Sequence, residues 1–180
     1  MRISTEQRTR RVLVVDDDEI VPLSLRHCGE KFGFNLDFIH ARDMDEGVSR
    51  LNEQCFDAAV LDVCLPGGLS GVSFGEAIRF HDPHVPLAFL TNLDTDAVRE
   101  QVHAQQALFL FKQTYIGSDE GLKALLGIIC EMAQLNPCLP GGVRAGEAGF
   151  PRKLTATPIE IPNELRRLLD YGKMAMARAA

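Results

Sequence analysis

The sequence lacks any apolar run close to the roughly 18 to 20 residues that a helix needs to span a bilayer. Its first residues, MRISTEQRTRR, also lack the apolar core of a signal peptide. We therefore expect a cytoplasmic protein with no membrane partner. The sequence has no Gly-x-Gly-x-x-Gly pattern, and no histidine stands beside a nucleophilic serine or cysteine in a recognisable triad motif. Neither a glycine-rich phosphate loop nor a catalytic triad is indicated.

Cysteine is sparse, odd in number and never arranged as Cys-x-x-Cys. The five residues are Cys28, Cys55, Cys64, Cys130 and Cys138. A zinc site or a disulfide framework normally shows an even set at characteristic spacings. We therefore expect buried free thiols rather than disulfides or a zinc site, as is usual in a reducing compartment.

Positive charge is scarce in most of the chain. Residues 1–135 carry 12 lysines and arginines against 21 aspartates and glutamates, a net charge of −9. Residues 136–180 carry 7 against 4, a net charge of +3. Nucleic-acid binding depends mainly on neutralising phosphates with lysine and arginine, so the sequence predicts no nucleic-acid partner.

Apolar, β-branched runs alternate with helical patterns through the first 135 residues. This alternation predicts an α/β fold in which a parallel sheet is covered by helices on both faces. The predicted strands are 11–16, 35–41, 58–63, 86–91 and 108–112. The predicted helices are about 19–32, a helix capped by Asp43, and about 71–81, 95–106 and 119–135, with Gly33 ending the first and Ser118 capping the last.

The amino-acid composition changes after Leu135, where proline and glycine become frequent. We predict four parts: an amino-terminal arm (1–10), one domain (11–135), a Pro/Gly-rich linker or strap (136–162) and an amphipathic helical tail (163–180). The apolar face of that tail consists of Leu165, Leu168, Leu169 and Met176. Because so short a helix is marginal alone in water, we expect it to dock on a second copy of the chain or on a partner protein.

Polar residues end four of the predicted strands. They are Asp16 and Asp17, Asp62, Thr91, and Lys112. Ligands of open α/β sheets bind at the carboxyl ends of the strands, so these side chains are expected to share one crevice. Three carboxylates there repel one another unless a cation offsets them, and a hard divalent ion such as Mg²⁺ prefers oxygen ligands. Asp16, Asp17 and Asp62 are therefore candidate ligands of Mg²⁺ or Mn²⁺.

The same residues suit phosphoryl transfer. Asp62 can attack a phosphoryl group while the metal and the Lys112 ammonium neutralise charge on its oxygens. The Thr91 hydroxyl can then hydrogen-bond the bound group. The sequence indicates a carboxylate that accepts phosphate.

The segments VLVVDDDE, FDAAVLDVCLPGGLSG, LAFLTN and LFLFK resemble, in order and spacing, the motifs of response regulator receiver domains. The resemblance implies a flavodoxin-like, doubly wound five-stranded sheet of order 2-1-3-4-5, with a C-terminal extension here. It implies that the chain is a phosphoacceptor switch rather than a conventional enzyme, with a sensor histidine kinase or histidine phosphotransfer protein as its partner. The implied roles are Asp62 as phosphoacceptor, Asp16, Asp17 and the backbone carbonyl of Cys64 as further metal ligands, Thr91 and Lys112 as the phosphate-sensing pair, and Phe109 as the switching aromatic residue.

The sequence departs from the family pattern in two places. Gln113 follows Lys112 where the family usually has a proline in a cis bond, and a cis bond before another residue is costly, so we expect a trans bond. The loop after Asp62 also has Gly67 and Gly68 where a single residue is usual. The first departure lies at the surface formed by the fourth helix, fifth strand and fifth helix, through which the family passes its signal. The second leaves the acidic residues in place.

Two other functions fit part of the pattern. Asp16 and Asp18 could be the Asp-x-Asp nucleophile and acid of a haloacid-dehalogenase-like phosphatase, but that family needs a later acidic pair at a strand end and gives Asp62 no role. A receiver-like interaction module that is never phosphorylated usually loses one of the site residues, and here all are present. The 45 residues after Leu135 are also too few for a helix-turn-helix domain, so we expect output through protein contact.

Overall fold

The computed structural model describes residues 8–67, 71–139, 143–144 and 152–153. Five strands form a parallel sheet in the order β2-β1-β3-β4-β5. They are β1 (Arg10–Val15), β2 (Leu36–Ala41), β3 (Ala58–Leu61), β4 (Leu87–Thr91) and β5 (Leu108–Phe111). The predicted flavodoxin-like sheet is confirmed.

In the described ranges six helices accompany the sheet, and their ends follow the local sequence. They are α1 (Ile20–Phe32), α2 (Met44–Glu53), α3 (Gly71–His81), α4 (Asp96–Ala104), α5 (Lys112–Tyr115) and α6 (Asp119–Leu135). Gly33 ends α1 in the left-handed conformation at φ 72°, which glycine adopts without steric cost. The Asp43 carboxylate accepts the Glu46 N–H at 2.8 Å, and the Ser118 hydroxyl accepts the Gly121 N–H at 3.1 Å.

The core lies in two layers, one on each face of the sheet. On β1, Leu13 and Val15 point to the face covered by α2, α3 and α4, whereas Val12 and Val14 point to the face covered by α1 and α6. Successive strand residues alternate between faces, so a strand buried on both sides is apolar throughout. Within the described ranges, no helix has the length and apolar character to cross a membrane.

Two elements were not predicted. Helix α5 begins at Lys112 itself, directly after β5, and the predicted trans bond to Gln113 is confirmed because the described residues contain no cis peptide bond. The segment predicted as a linker or irregular strap contributes three antiparallel strands: β6 (Cys138–Leu139), β7 (Val143–Arg144) and β8 (Arg152–Lys153). The predicted helical tail at 163–180 lies outside the described residues.

The expectation that all five cysteines are free thiols is wrong for two of them. Cys55, in the loop before β3, and Cys138, after α6, form a disulfide with their Cα atoms 6.1 Å apart. The two residues are 83 positions apart, so only the return of the chain after α6 to the start of β3 brings them together. Cys28, Cys64 and Cys130 are free, as expected, but only Cys28 is buried: Cys130 is half-buried and Cys64 is exposed.

Candidate metal and phosphoacceptor site

Three carboxylates meet at the carboxyl edge of the sheet. Asp16 and Asp62 directly follow β1 and β3, and their backbone N–H groups still bond across the sheet, to Ala41 and Val15, at 3.0 and 2.8 Å. One oxygen from each of Asp16, Asp17 and Asp62 lies within 4.8 Å of the others, with Asp16 and Asp62 buried and Asp17 exposed. This is a donor set of hard oxygens that fits Mg²⁺ or Mn²⁺, and it combines residues that the sequence predicted to converge.

Lys112 binds both buried carboxylates. Its ammonium Nζ lies 2.8 Å from Asp16 Oδ2 and 2.5 Å from Asp62 Oδ2. The residue is only 8% exposed, because it stands where the buried end of β5 turns into α5. Lys112 is therefore the counter-ion of the acidic cluster.

Burial and pairing oppose one another in this cluster. Burial raises the pKa of Asp16 above its usual range, although the Lys112 ammonium acts in the other direction. Burial lowers the pKa of Lys112, but the carboxylates of Asp16 and Asp62 outweigh it and raise that pKa overall. Lys112 is therefore charged at neutral pH. Because burial disfavours the charged form of Asp16, a second cation beside this carboxylate would stabilise it.

Backbone N–H groups hold the two buried carboxylates, and an imidazole holds the backbone of Asp16. The second oxygen of Asp62 accepts the Cys64 N–H at 3.0 Å, and Asp16 Oδ1 accepts the Asp18 N–H at 3.0 Å. The His40 Nε2 lies 2.7 Å from the backbone carbonyl of Asp16 and ties β2 to the site. Sequence reasoning did not single out His40, because a lone strand histidine carries no motif.

Asp18 has a local structural role. Its carboxylate accepts the N–H of Ile20, the first residue of α1, at 3.0 Å. Asp18 does not belong to the group of three converging acids, which is Asp16, Asp17 and Asp62. This arrangement does not suit the Asp-x-Asp chemistry of the phosphatase alternative, which needs Asp16 and Asp18 at one reacting centre.

Thr91 lies at the end of β4, next to the loop that carries Asp62. It is fully buried, and its hydroxyl accepts the Leu93 N–H at 3.1 Å. The Cys64 side chain hydrogen-bonds Thr91, and burial together with the Asp62 carboxylate raises the pKa of the Cys64 thiol. A chain of contacts therefore links Asp62, Cys64 and Thr91.

Phe109 is half-buried on β5, and an arginine covers its ring. The Arg99 guanidinium lies 4.3 Å from the ring centroid, within cation–π distance. Asp94 holds that guanidinium with two bonds, of 2.5 and 2.8 Å. Phe109 is thus fixed by a charged pair from the β4–α4 loop and α4, a contact that sequence reasoning missed.

Gly71 packs directly on the backbone of Asp62. Its N–H donates to the Val63 carbonyl at 2.7 Å, and a Cβ at this position would lie 1.7 Å from the Asp62 carbonyl oxygen. Because the obstructing atom is backbone, no side-chain rotation relieves the contact. The first residue of α3 must therefore be glycine for Asp62 to keep its place.

We predict that Gly71→Ala lowers both stability and phosphorylation of Asp62. Forcing an extra carbon into a packed site costs about 1–3 kcal/mol, and here it displaces the residue that we expect to react. Gly127→Ala is the matched control, because nothing lies within 4 Å of a Cβ there and alanine favours a helix by about 1 kcal/mol. Urea unfolding and phosphate incorporation should separate the two variants. Equal stability and labelling of both variants would contradict the prediction.

A doubly wound sheet with three carboxylates and a lysine at its carboxyl edge is the architecture of a signal receiver domain. The family model of the response regulator receiver domain matches residues 12–124, so the chain belongs to that family of two-component signalling domains. Over 85 residues the chain is 33% identical to the transcriptional regulatory protein QseB of Haemophilus influenzae. That match covers 47% of this chain and 37% of QseB.

Solved structures of receiver domains share the fold of this chain. The chain matches chemotaxis protein CheY4 of Vibrio cholerae with a TM-score of 0.57 at 23% identity, covering 67% of this chain and 98% of CheY4. It matches the beryllofluoride-activated NtrC4 receiver domain, a dimer, with a TM-score of 0.56 at 29% identity, covering 69% and 98%. The chain thus corresponds to whole receiver domains but to only 37% and 35% of the length of two curated relatives.

Proposed function

We propose that Asp62 accepts a phosphoryl group from a sensor histidine kinase or a histidine phosphotransfer protein, and that the chain passes the signal on through protein contact. The observation that carries this proposal is the buried Asp62 carboxylate, which lies among two further acids and is bonded to the Lys112 ammonium. The proposed setting is the cytoplasm.

The reaction uses one oxygen of Asp62 as nucleophile. That oxygen forms a bond to phosphorus while the bond from phosphorus to the donor breaks and the donor keeps the electron pair. The product is an acyl phosphate on Asp62. The Lys112 ammonium is placed to hold the negative charge on the transferred group, since it already contacts an Asp62 oxygen.

The carboxylates of Asp16, Asp17 and Asp62, with the backbone carbonyl of Cys64, would hold the divalent ion. When bound, Mg²⁺ or Mn²⁺ neutralises charge on the phosphoryl oxygens. The three side chains supply only oxygen ligands, which is the set that these ions prefer. The buried Asp16 and Asp62 orient the site, and the exposed Asp17 leaves it open toward solvent.

We predict that Asp16→Asn with Asp17→Asn abolishes measurable Mg²⁺ binding, because two of the three converging carboxylates are removed. The matched control is Asp37→Asn with Glu53→Gln, which removes the same charge from exposed positions on β2 and α2. Calorimetric titration with Mg²⁺ measures both. If the site variant binds Mg²⁺ as tightly as the control, the metal assignment is wrong.

Thr91 and Phe109 are the proposed switch. Movement of the Thr91 hydroxyl toward a phosphoryl group on Asp62 would break its bond to Leu93. The next residue, Asp94, holds Arg99 over the Phe109 ring. Phosphorylation would thereby loosen the charged pair that covers the ring. The surface of α4 and β5 would change for a protein partner.

Two features support the proposed partners. Ile20 and Leu23, on α1 beside the acidic site, are 64% and 57% exposed, which suits contact with an apolar surface of the phosphodonor protein. The net charge of −9 in residues 1–135 disfavours contact of this domain with nucleic acid.

Acetyl phosphate tests the proposal directly. Incubation of the full chain with this small donor should give an acid-labile acyl phosphate only when Mg²⁺ or Mn²⁺ is present. Intact-mass measurement would detect one added phosphoryl group. Equal incorporation in the presence of a chelator would refute the metal requirement, and no incorporation from any donor would favour the non-phosphorylated interaction module.

A further inference from the structure

A second buried cluster lies at the opposite edge of the sheet, where β1 and β3 begin. The disulfide between Cys55 and Cys138 joins the loop before β3 to the segment after α6. Cys55 is 8% exposed and Cys138 is fully buried. Cys138, just past the end of α6, is therefore anchored at the edge of the sheet opposite Asp62.

Asp57 holds the same segment without covalent chemistry. Its fully buried carboxylate accepts the N–H of Cys138 and the N–H of Arg11, each at 2.8 Å. The guanidinium groups of Arg8 and Arg10 lie 3.8 and 3.9 Å from its oxygens, and Arg8 also donates to the carbonyl of Cys138. Both backbone hydrogen-bonding groups of Cys138 are thus paired, the N–H with Asp57 and the carbonyl with Arg8.

The bonds from Asp57 to Cys138 affect how easily the disulfide can open and close again. A disulfide that opens in a flexible loop leaves two thiols that drift apart, and closing it again costs loop entropy. Here the Asp57 bonds to Cys138 do not depend on the sulfur atoms, so they can keep the two thiols close after reduction. The pair is therefore prepared for repeated opening and closing.

We propose that Cys55 and Cys138 form a redox-controlled latch that fastens the segment carrying β6, β7 and β8 to the amino-terminal edge of the receiver sheet. The oxidant is a low-molecular-weight disulfide such as glutathione disulfide, and the reductant is the corresponding thiol. This inference rests on the cytoplasmic setting proposed above, since disulfides in a reducing compartment are usually transient or redox-sensing rather than permanent.

The closing reaction balances in two exchanges. One cysteine thiolate attacks a sulfur of glutathione disulfide, and the first glutathione thiolate leaves. The second cysteine thiolate attacks the protein sulfur of this mixed disulfide and releases the second glutathione. Two electrons pass from the protein to the oxidant, and the two thiol protons end on the two glutathione molecules. Opening is the reverse.

The test uses the full chain equilibrated in mixtures of reduced and oxidised glutathione. Alkylation followed by mass spectrometry gives the fraction of the Cys55–Cys138 bond, and hydrogen exchange is measured on the same samples. We expect the bond to open and close as the ratio changes. We expect peptides containing Val143 or Arg152 to exchange at least about tenfold faster when it is open, with β4 unchanged, whereas the Cys138 N–H stays bonded to Asp57 in both states.

The wild-type chain in its two redox states is its own comparison, so no variant has to fold for the test to succeed. Cys130→Ser is the matched control, since it removes a free thiol of α6 and leaves the pair intact. It should behave as the wild type does, and Cys55→Ser with Cys138→Ser should exchange as the reduced protein does at every ratio. A bond that never responds to glutathione would overturn the latch. Equal exchange of the segment in both redox states would overturn it equally.

Discussion

Asp62→Asn is expected to abolish phosphorylation by acetyl phosphate while leaving the fold intact. The amide has no charged oxygen to attack phosphorus, and neither Asp16 nor Asp17 lies at the end of the central strand β3. The amide still presents an oxygen to the Cys64 N–H, which Asp62 accepts at 3.0 Å, so local structure is preserved. Phosphate incorporation, measured by intact mass, should fall below detection.

The control is Asp37→Asn, which makes the same change at an exposed position on β2. It should be labelled as fully as the wild type. Circular dichroism and thermal unfolding of both variants would show whether any loss of labelling comes from the site or from the fold. Full labelling of Asp62→Asn, with the phosphoryl group mapped to another carboxylate, would refute the assignment of the acceptor.

The sheet was predictable because four of its five strands are apolar runs that end at a polar or charged residue. The run AAVLDV predicted a strand over 58–63, and the strand is Ala58–Leu61, with Asp62 just beyond it. Just past the strand, the Asp62 carboxylate bonds to Lys112 and to the Cys64 N–H. The order of the strands came from the family resemblance, since a single sequence does not state which strands are neighbours.

Helix α5 and the strands β6, β7 and β8 could not be predicted. A four-residue helix makes about one turn, so it has no repeating apolar pattern to detect. Strands of two residues are equally short, and they depend on pairing between segments separated by glycine and proline. Both the short helix and the short strands are determined by contacts with distant residues, and not by a periodic pattern in the sequence.

The Asp57 cluster was invisible for a related reason. Asp57 precedes β3 and looks in the sequence like an ordinary turn residue. Its bond to Cys138 spans 81 positions, and its partner disulfide spans 83. Local patterns report on neighbours along a helix or strand, so a clamp between distant loops emerges only from the folded chain.

Lys112→Met should destabilise the metal-free protein by about 3–5 kcal/mol, because it leaves the buried carboxylates of Asp16 and Asp62 without their cation. Methionine has a similar length, so packing around the side chain changes little. Urea unfolding in the presence of a chelator measures the loss. Lys123→Met, at an exposed position on α6, is the matched control and should cost less than about 1 kcal/mol.

The same variant tests whether Lys112 and the metal share their ligands. In the wild type the ammonium occupies oxygens of Asp16 and Asp62, two of the three candidate metal ligands, so each cation should weaken the other by the same factor. Lys112→Met should therefore bind Mg²⁺ more tightly, by at least about fivefold, and saturating Mg²⁺ should recover much of the lost stability. Phosphorylation should nevertheless fall, because the transferred group loses the ammonium that we expect to bind it. If Mg²⁺ affinity is unchanged or weaker in this variant, the lysine and the metal do not compete, and the carboxylates that Lys112 binds are not the metal ligands.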